Sequence, residues 1–172
     1  GPVSERKSAI ILSMEPMEAE DLPEVLPIAA DPQGVAWTKG VFEKELATSF
    51  SHNWICRARL EAGKGFVAGF VSFWIIAGEV QLQNLAVRAD LRRQGIGTRL
   101  MEEMFRTARA HGARRVTLEV RESNGAAAAL YEQFGFTAAG RRPGYYHECG
   151  EAAVILWADL ERNAGAENGQ SR

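Results

Sequence analysis

The period of the hydrophobic positions changes several times along the chain, and each change marks an element. Residues 8–14 read as a strand. Residues 18–30 place Leu22, Val25, Leu26 and Ala29 at helical spacing. Pro23 falls in the first turn, where proline is tolerated, whereas Pro27 is expected to end or distort the helix. Residues 38–47 predict a second helix, with Thr38 as N-cap and Val41, Phe42 and Leu46 on one face. Three runs follow, 53–60, 66–76 and 80–87, separated by Ala62-Gly63-Lys64-Gly65 and by Gly78-Glu79, which read as an antiparallel meander. Its middle run is apolar on both faces through Phe70, Val71, Phe73 and Trp74. A strand with no polar face is normally covered on both sides, so helices should flank the sheet.

The second half alternates between helix and strand. Residues 95–111 carry Ile96, Leu100, Met104 and Ala108 four apart, beside Met101 and Phe105, and Gly112 supplies a stop. Residues 115–120 predict a strand and 124–134 an alanine-rich helix ended by Gly135. Two more strands, 136–140 and 152–160, bracket an irregular middle. A crossover of this length between 80–87 and 115–120 implies a parallel, right-handed pairing. The expected fold is α/β (α+β): a single mixed, mostly antiparallel twisted sheet of about seven strands, flanked by about four helices.

Composition narrows the class without naming an activity. The 172 residues suit one domain, and 46% hydrophobic with 24% charged residues is ordinary for a globular chain. Twenty basic side chains against 22 acidic ones give a net charge of −2, which disfavours a general nucleic-acid binder. Cys56 and Cys149 lack paired spacing, so no disulfide framework is expected. No metal is expected either, because His52, His111 and His147 are scattered. The longest apolar stretch, 66–77, is too short to span a bilayer, so the expectation is a cytoplasmic protein with no membrane partner. A monomer or weak dimer is expected, although the sequence does not give the oligomeric state. Gly1-Pro2 without an initiator Met has the form of a protease scar, and residues 1–7 are expected to be a tag or disordered. The single domain then runs over 8–160, and 161–172 read as a polar tail.

The segment from Asn84 to Gly97 carries the clearest chemistry. A strand ends, a polar loop turns, and a helix begins at Gly95-Ile96-Gly97. Unpaired amides at a helix start, with the positive end of the dipole behind them, make an anion site. Arg88, Arg92, Arg93 and Arg99 add positive charge around it. The same residues also fit a glycine-softened turn with solvated arginines. A P-loop is excluded because Thr98-Arg99 follows Gly97, and a dinucleotide fingerprint because Leu100 stands at its third glycine. Further on, Asn124 and Tyr131 share a helix face within about 20° and lie about 10 Å apart. Glu119 alternates with Val116, Leu118 and Val120 and therefore projects from the opposite sheet face. Singly, these three residues also fit a rim carboxylate, an N-cap and a core aromatic.

Arg92-Arg93-Gln94-Gly95-Ile96-Gly97 resembles the pyrophosphate loop of the GCN5-related N-acetyltransferases, which bind acetyl-CoA there. Leu118-Glu119-Val120-Arg121, then Asn124, then Leu130-Tyr131 and Gly135-Phe136, are similar to the corresponding block of the RimI branch, which acetylates N-terminal alanines of ribosomal proteins. Arg141-Arg142-Pro143-Gly144-Tyr145-Tyr146 looks like that branch's basic and double-tyrosine segment, whereas Glu151-Ala152-Ala153 stands where the branch carries Glu-Asp-Ala.

The resemblance implies acetyl-CoA as co-substrate. Its sites would be the loop Arg92, Arg93, Gln94, Gly95, Ile96, Gly97 and Thr98, the backbone of Leu85, Ala86 and Val87, and the helix residues Asn124 and Tyr131. It implies Glu119 as general base, directly or through water, and Tyr131 as general acid toward the leaving thiolate. The acceptor it implies is the N-terminal α-amine of a protein, with a small-subunit ribosomal protein as the expected source. Trp37, Tyr145 and Tyr146 are candidates for the acceptor groove, though Trp37 can equally staple its helix and the tyrosines can be ordinary sheet residues. Two other readings stay open: acetylation of a small-molecule amine or lysine, and a non-catalytic acyl-CoA sensor.

Overall fold

The structure, a computed structural model, describes residues 10–30, 36–61, 63–146 and 150–160, with the backbone alone over 144–146. The segments 1–7 and 161–172, expected as tag and tail, lie outside the described residues, as do His147 and Cys149. Seven strands form one sheet in the order β1-β2-β3-β4-β5-β7-β6. They are β1 Ile11–Pro16, β2 Ser51–Arg59, β3 Phe66–Ile76, β4 Glu79–Val87, β5 Arg115–Arg121, β6 Thr137–Tyr146 and β7 Glu151–Asp159. The helices are α1 Leu22–Ala29, α2 Lys39–Leu46, α3 Ile96–Ala110 and α4 Gly125–Gln133. Every strand pairing is antiparallel except β4 with β5, as the crossover through α3 requires.

Two cores lie on opposite faces of this sheet. On the front, α1 and α2 bury Leu22, Val25, Ile28 and Phe42 against Ile55, Val67 and Phe70. On the back, α3 and α4 bury Leu100, Met101, Met104, Phe105 and Tyr131 against Val71, Phe73, Val116, Leu118 and Val120. The doubly apolar β3 therefore has the two-sided cover that its pattern demands, with Phe70 facing front and Val71 and Phe73 facing back.

Several boundaries differ from those expected, each for a local reason. The strand expected over 8–14 is paired over Ile11–Pro16, because its partner β2 extends to Trp54 opposite Pro16. The helix expected over 18–30 opens as a 3-10 turn, Ala19–Asp21, whose Asp21 carboxylate accepts the Glu18 amide (2.9 Å). Pro27 does not end α1. The Ala30 amide still donates to Leu26 O, and the buried stripe Leu22, Val25, Ile28 and Ala29 outweighs the one lost backbone bond. Thr38 caps α2 as expected, accepting the Val41 amide (3.3 Å), but Val41 is exposed and Glu45 takes its place on the buried side. The Glu45 carboxylate is satisfied there by the Ser51 hydroxyl (2.6 Å) and Trp74 Nε1 (2.8 Å). The middle expected to be irregular is largely strand, since β6 continues through Arg141 and Arg142 before a register break ahead of Tyr146.

Arg57 on β2 ties the front layer to the sheet. Its guanidinium donates to Glu15 of β1 (3.1 and 3.2 Å) and to the buried Asp21 (2.8 Å) at the start of α1. Burial pushes the Glu15 carboxyl up, but the Ser13 hydroxyl and Arg57 together outweigh it and hold the group below its ordinary range.

The histidines expected to be scattered are not all apart. The rings of His52 and His111 meet edge to face at 4.9 Å, and His52 stacks on Phe73 at 5.4 Å. Burial, reinforced by the charge of His111, lowers the His52 pKa. The unfolded chain takes up a proton there near pH 6.5 while the folded chain resists it. This contribution to stability is intact above about pH 6.5 and is lost as the pH falls below it. The Tm should therefore drop between pH 7.5 and 5.5, and His52→Gln should flatten that drop. An equally steep drop in the variant would place the titration elsewhere.

Candidate functional site

The central feature is a parallel ladder that stops early. β4 pairs with β5 only at Glu79↔Arg115, Val80↔Val116 and Gln81↔Thr117. Beyond Gln81 the β3–β4 register steps from Phe73↔Leu82 to Ser72↔Asn84, leaving Gln83 as the extra residue of a bulge. A bulge bends its strand and increases its twist, and here it sits where β4 leaves β5. Leu85, Ala86 and Val87 all lie past this point, held on one side by β3 and paired on the other with no strand. Leu85 and Val87 pack against the back core and Ala86 against the front. The backbone edge they present to the gap is available to a ligand.

The anion site lies at the end of β4. Arg93 (φ 65°) and Gly95 (φ 80°) are left-handed, and the loop winds through them into α3. The first helical bond is from the Arg99 amide to Gly95 O, so the amides of Ile96, Gly97 and Thr98 have no partner within the helix. Only a glycine adopts the Gly95 conformation without strain. At Gly97 a Cβ would come within 3.2 Å of Leu130 Cδ2, so the absent side chain lets α3 and α4 approach. Arg92, Arg93 and Gln94 are exposed, whereas the Ile96 side chain is buried in the back core, which leaves its backbone for binding. Arg88 is already committed: its guanidinium donates to Asp90 (2.8 and 2.6 Å) and lies over Phe66 at 4.7 Å. The positive charge at this mouth is thus smaller than four arginines suggested.

The two candidate acid–base residues stand on opposite faces. Glu119 is on the front of β5, its side chain 30% exposed, while Val116, Leu118 and Val120 point into the back core. Tyr131 of α4 is buried at the back, tilted against Phe136 at 5.7 Å. The gap past Gln81 and Thr117 is where the sheet is open between these faces. Asn124 is the N-cap of α4, its Oδ1 accepting the Ala127 amide (3.2 Å). Trp37 packs edge to face on Phe42 at 5.1 Å beside the front core, the stapling arrangement. Tyr145 and Tyr146 are on β6, and their side chains lie outside the described residues.

A front cavity of about 810 Å³ opens between α1 and the end of β4, lined by Pro27, Ile28, Val67 and Val87. It reaches the anion loop at Arg92 but not Glu119 or Tyr131. Its rim carboxylate, Glu24, accepts the Val67 amide (3.2 Å). One residue of the site escaped the sequence reading. Arg142 of β6 places Nη1 3.2 Å from Glu119 Oε1 across β7. Its place in a basic segment was visible, but the contact depends on the β6–β7 register. Among the described residues, no group of three or more His, Cys, Asp or Glu side chains could hold a metal ion, and no helix is long and apolar enough to cross a membrane.

A strand pair splayed at a bulge, with a helix N-terminus at the open end, leaves a backbone edge and a set of helix amides at one mouth. Residues 17–136 match the acetyltransferase (GNAT) family, and the chain belongs to it. It is 33% identical over 145 residues to the putative ribosomal protein bS18-alanine N-acetyltransferase of Bacillus subtilis, covering 84% of this chain and 93% of that protein. It is 34% identical over 130 residues to the ribosomal protein bS18-alanine N-acetyltransferase of Escherichia coli, covering 76% and 84%. The crystal structure of the Escherichia coli ribosomal-protein-S18-alanine N-acetyltransferase superposes with a TM-score of 0.75 at 29% identity, over 87% of this chain and 94% of that one.

The cap of α4 gives a direct test. Asn124→Ala should cost about 1 kcal/mol, read as a Tm lower by roughly 2–4 °C. Asn124→Asp keeps the accepting oxygen and should hold the wild-type Tm. Equal losses in both variants would show that the amide nitrogen, not the cap, is what α4 needs.

Proposed function

We propose that the chain transfers the acetyl group of acetyl-CoA to the N-terminal α-amine of a protein in the cytoplasm, with an N-terminal alanine of a small-subunit ribosomal protein as acceptor. The observation that carries this reading is the β4–β5 opening, with amides of α3 at its mouth and a carboxylate on its front side. The names of relatives at 33% and 34% identity support the acceptor. When bound, acetyl-CoA supplies an activated acyl carbon with a thiolate leaving group.

The chain's own residues do the rest. The amides of Ile96, Gly97 and Thr98 take phosphate oxygens, with Gln94, Arg92 and Arg93 around them. The free edge of Leu85, Ala86 and Val87 pairs with the amides of the pantetheine arm and polarises the thioester carbonyl. Asn124 Nδ2, not used by the cap, is left to the same arm. The acceptor amine has an ordinary pKa of about 8, so near pH 7 most of it must first lose a proton. Glu119 takes that proton, directly or through one water. The neutral amine then forms the C–N bond as the C–S bond breaks; the Tyr131 hydroxyl protonates the departing sulfur, and the second proton shed by the new amide nitrogen restores the phenol through solvent. Trp37, Tyr145 and Tyr146 are the residues assigned to the acceptor groove.

Turnover should be followed as CoA release from acetyl-CoA with peptides bearing free or blocked N-termini, and with polyamines. Release only with free Ala- or Ser-initiated peptides is expected. Release with blocked lysine peptides or polyamines would replace the acceptor, and binding without any release would make the chain a sensor. Glu119→Gln should lower kcat by about 10²–10⁴-fold with acetyl-CoA affinity kept. Tyr131→Phe should lower kcat by about 10²-fold with little change in peptide KM. Wild-type kcat in either variant contradicts that residue's assignment.

A further inference from the structure

Among the described residues, the front of β5 beside Glu119 is poor in anions. Two residues along the same face, Arg121 is 3.9 Å from Glu151 of β7, so that charge is shared. Two residues back is the neutral Thr117, and the partner on β7 is Ile155. The group that faces Glu119 directly is Arg142 of β6, Nη1 to Oε1 at 3.2 Å.

This pair is a poor candidate for a structural staple. Its members are 57% and 30% exposed, and exposed pairs contribute at most about 1 kcal/mol. The neighbouring Arg141 makes an exposed pair of its own, its guanidinium donating to both oxygens of Glu122 (3.2 and 3.0 Å). Arg142, unlike Arg141, holds the one carboxylate that the reaction needs.

We propose that Arg142 is the positioning residue of the general base, holding Oε1 of Glu119 so that Oε2 of an ionised carboxylate receives the proton of the acceptor amine. The inference rests on the assignment of Glu119 as base. Its chemistry is economical. A guanidinium 3.2 Å from Oε1 restricts the carboxylate to one orientation, so the base does not have to be re-aimed at each encounter with an acceptor. The guanidinium itself does not give up a proton, so it cannot short-circuit the transfer.

The test is kcat and KM for a free Ala-initiated peptide at saturating acetyl-CoA, in the full chain. Arg142→Met should lower kcat about tenfold with the peptide KM within about twofold of wild type. Arg142→Lys should recover most of that kcat, and the melting temperatures of both should stay near wild type. Arg141→Met, which removes the neighbouring exposed pair, should leave kcat unchanged. A wild-type kcat in Arg142→Met, or a Lys variant no better than Met, overturns the proposal. Glu119→Gln separates the two levels. If it keeps wild-type turnover, the base assignment fails. If it is inactive while Arg142→Met keeps wild-type kcat, only the role of Arg142 fails.

Discussion

Three parallel pairs hold β4 to β5, and the pairing then stops although both strands run on. Past Gln81 and Thr117 each strand keeps its outer neighbour, β3 for β4 and β7 for β5, so neither is loose. Their inner edges cannot satisfy each other, because the bulge at Gln83 turns β4 away. Backbone polar groups at a sheet's centre need partners, and among the described residues no strand pairs with Leu85, Ala86 and Val87 on the β5 side. The rest of the site is arranged around that requirement. The strand end carries the loop to α3, the α3 amides face the mouth, and α4 closes the back at Tyr131.

Rigidity comes from the two cores on either side of the gap. The front core holds α1 and α2 over β2, β3 and β4, with Arg57 fastening α1 to β1 and β2. The back core spans both halves of the sheet, from Phe73 and Val80 to Val116 and Val120, under one long helix. A gap between strands that share such a helix can stay open without the sheet coming apart. Charge adds less than the sequence suggests, since Asp90 takes up Arg88. In the proposed binding, oriented amides therefore carry more of the anion contact than a count of arginines implies.

Much of this was legible in the chain, and the limits were physical. Periodicity located β3 to the residue, because a doubly apolar run between two turn signals has one solution. The apolar stripe of α3 and the alternation of β5 placed their buried faces correctly. The two glycines at the start of α3 were legible because each has a physical reason, a left-handed backbone at Gly95 and the approach of Leu130 at Gly97. Pro27 misled because a propensity gives way to a buried stripe, and Val41 because an apolar residue need not face the core. The bulge at Gln83 and the pairing of Arg142 with Glu119 were out of reach. Both depend on register between strands far apart in sequence, and nothing local records it.

The central claim is that the open edge of β4 and the start of α3 form one continuous binding surface for an extended acyl-CoA. Amide hydrogen exchange with and without acetyl-CoA tests it most directly. Protection should rise together at residues 83–87 and 94–98, with little change on β1 or at the α2 start. Protection at 94–98 alone, with β4 exchanging as before, would contradict it: an anion would then bind the helix end while the gap between the strands stayed empty.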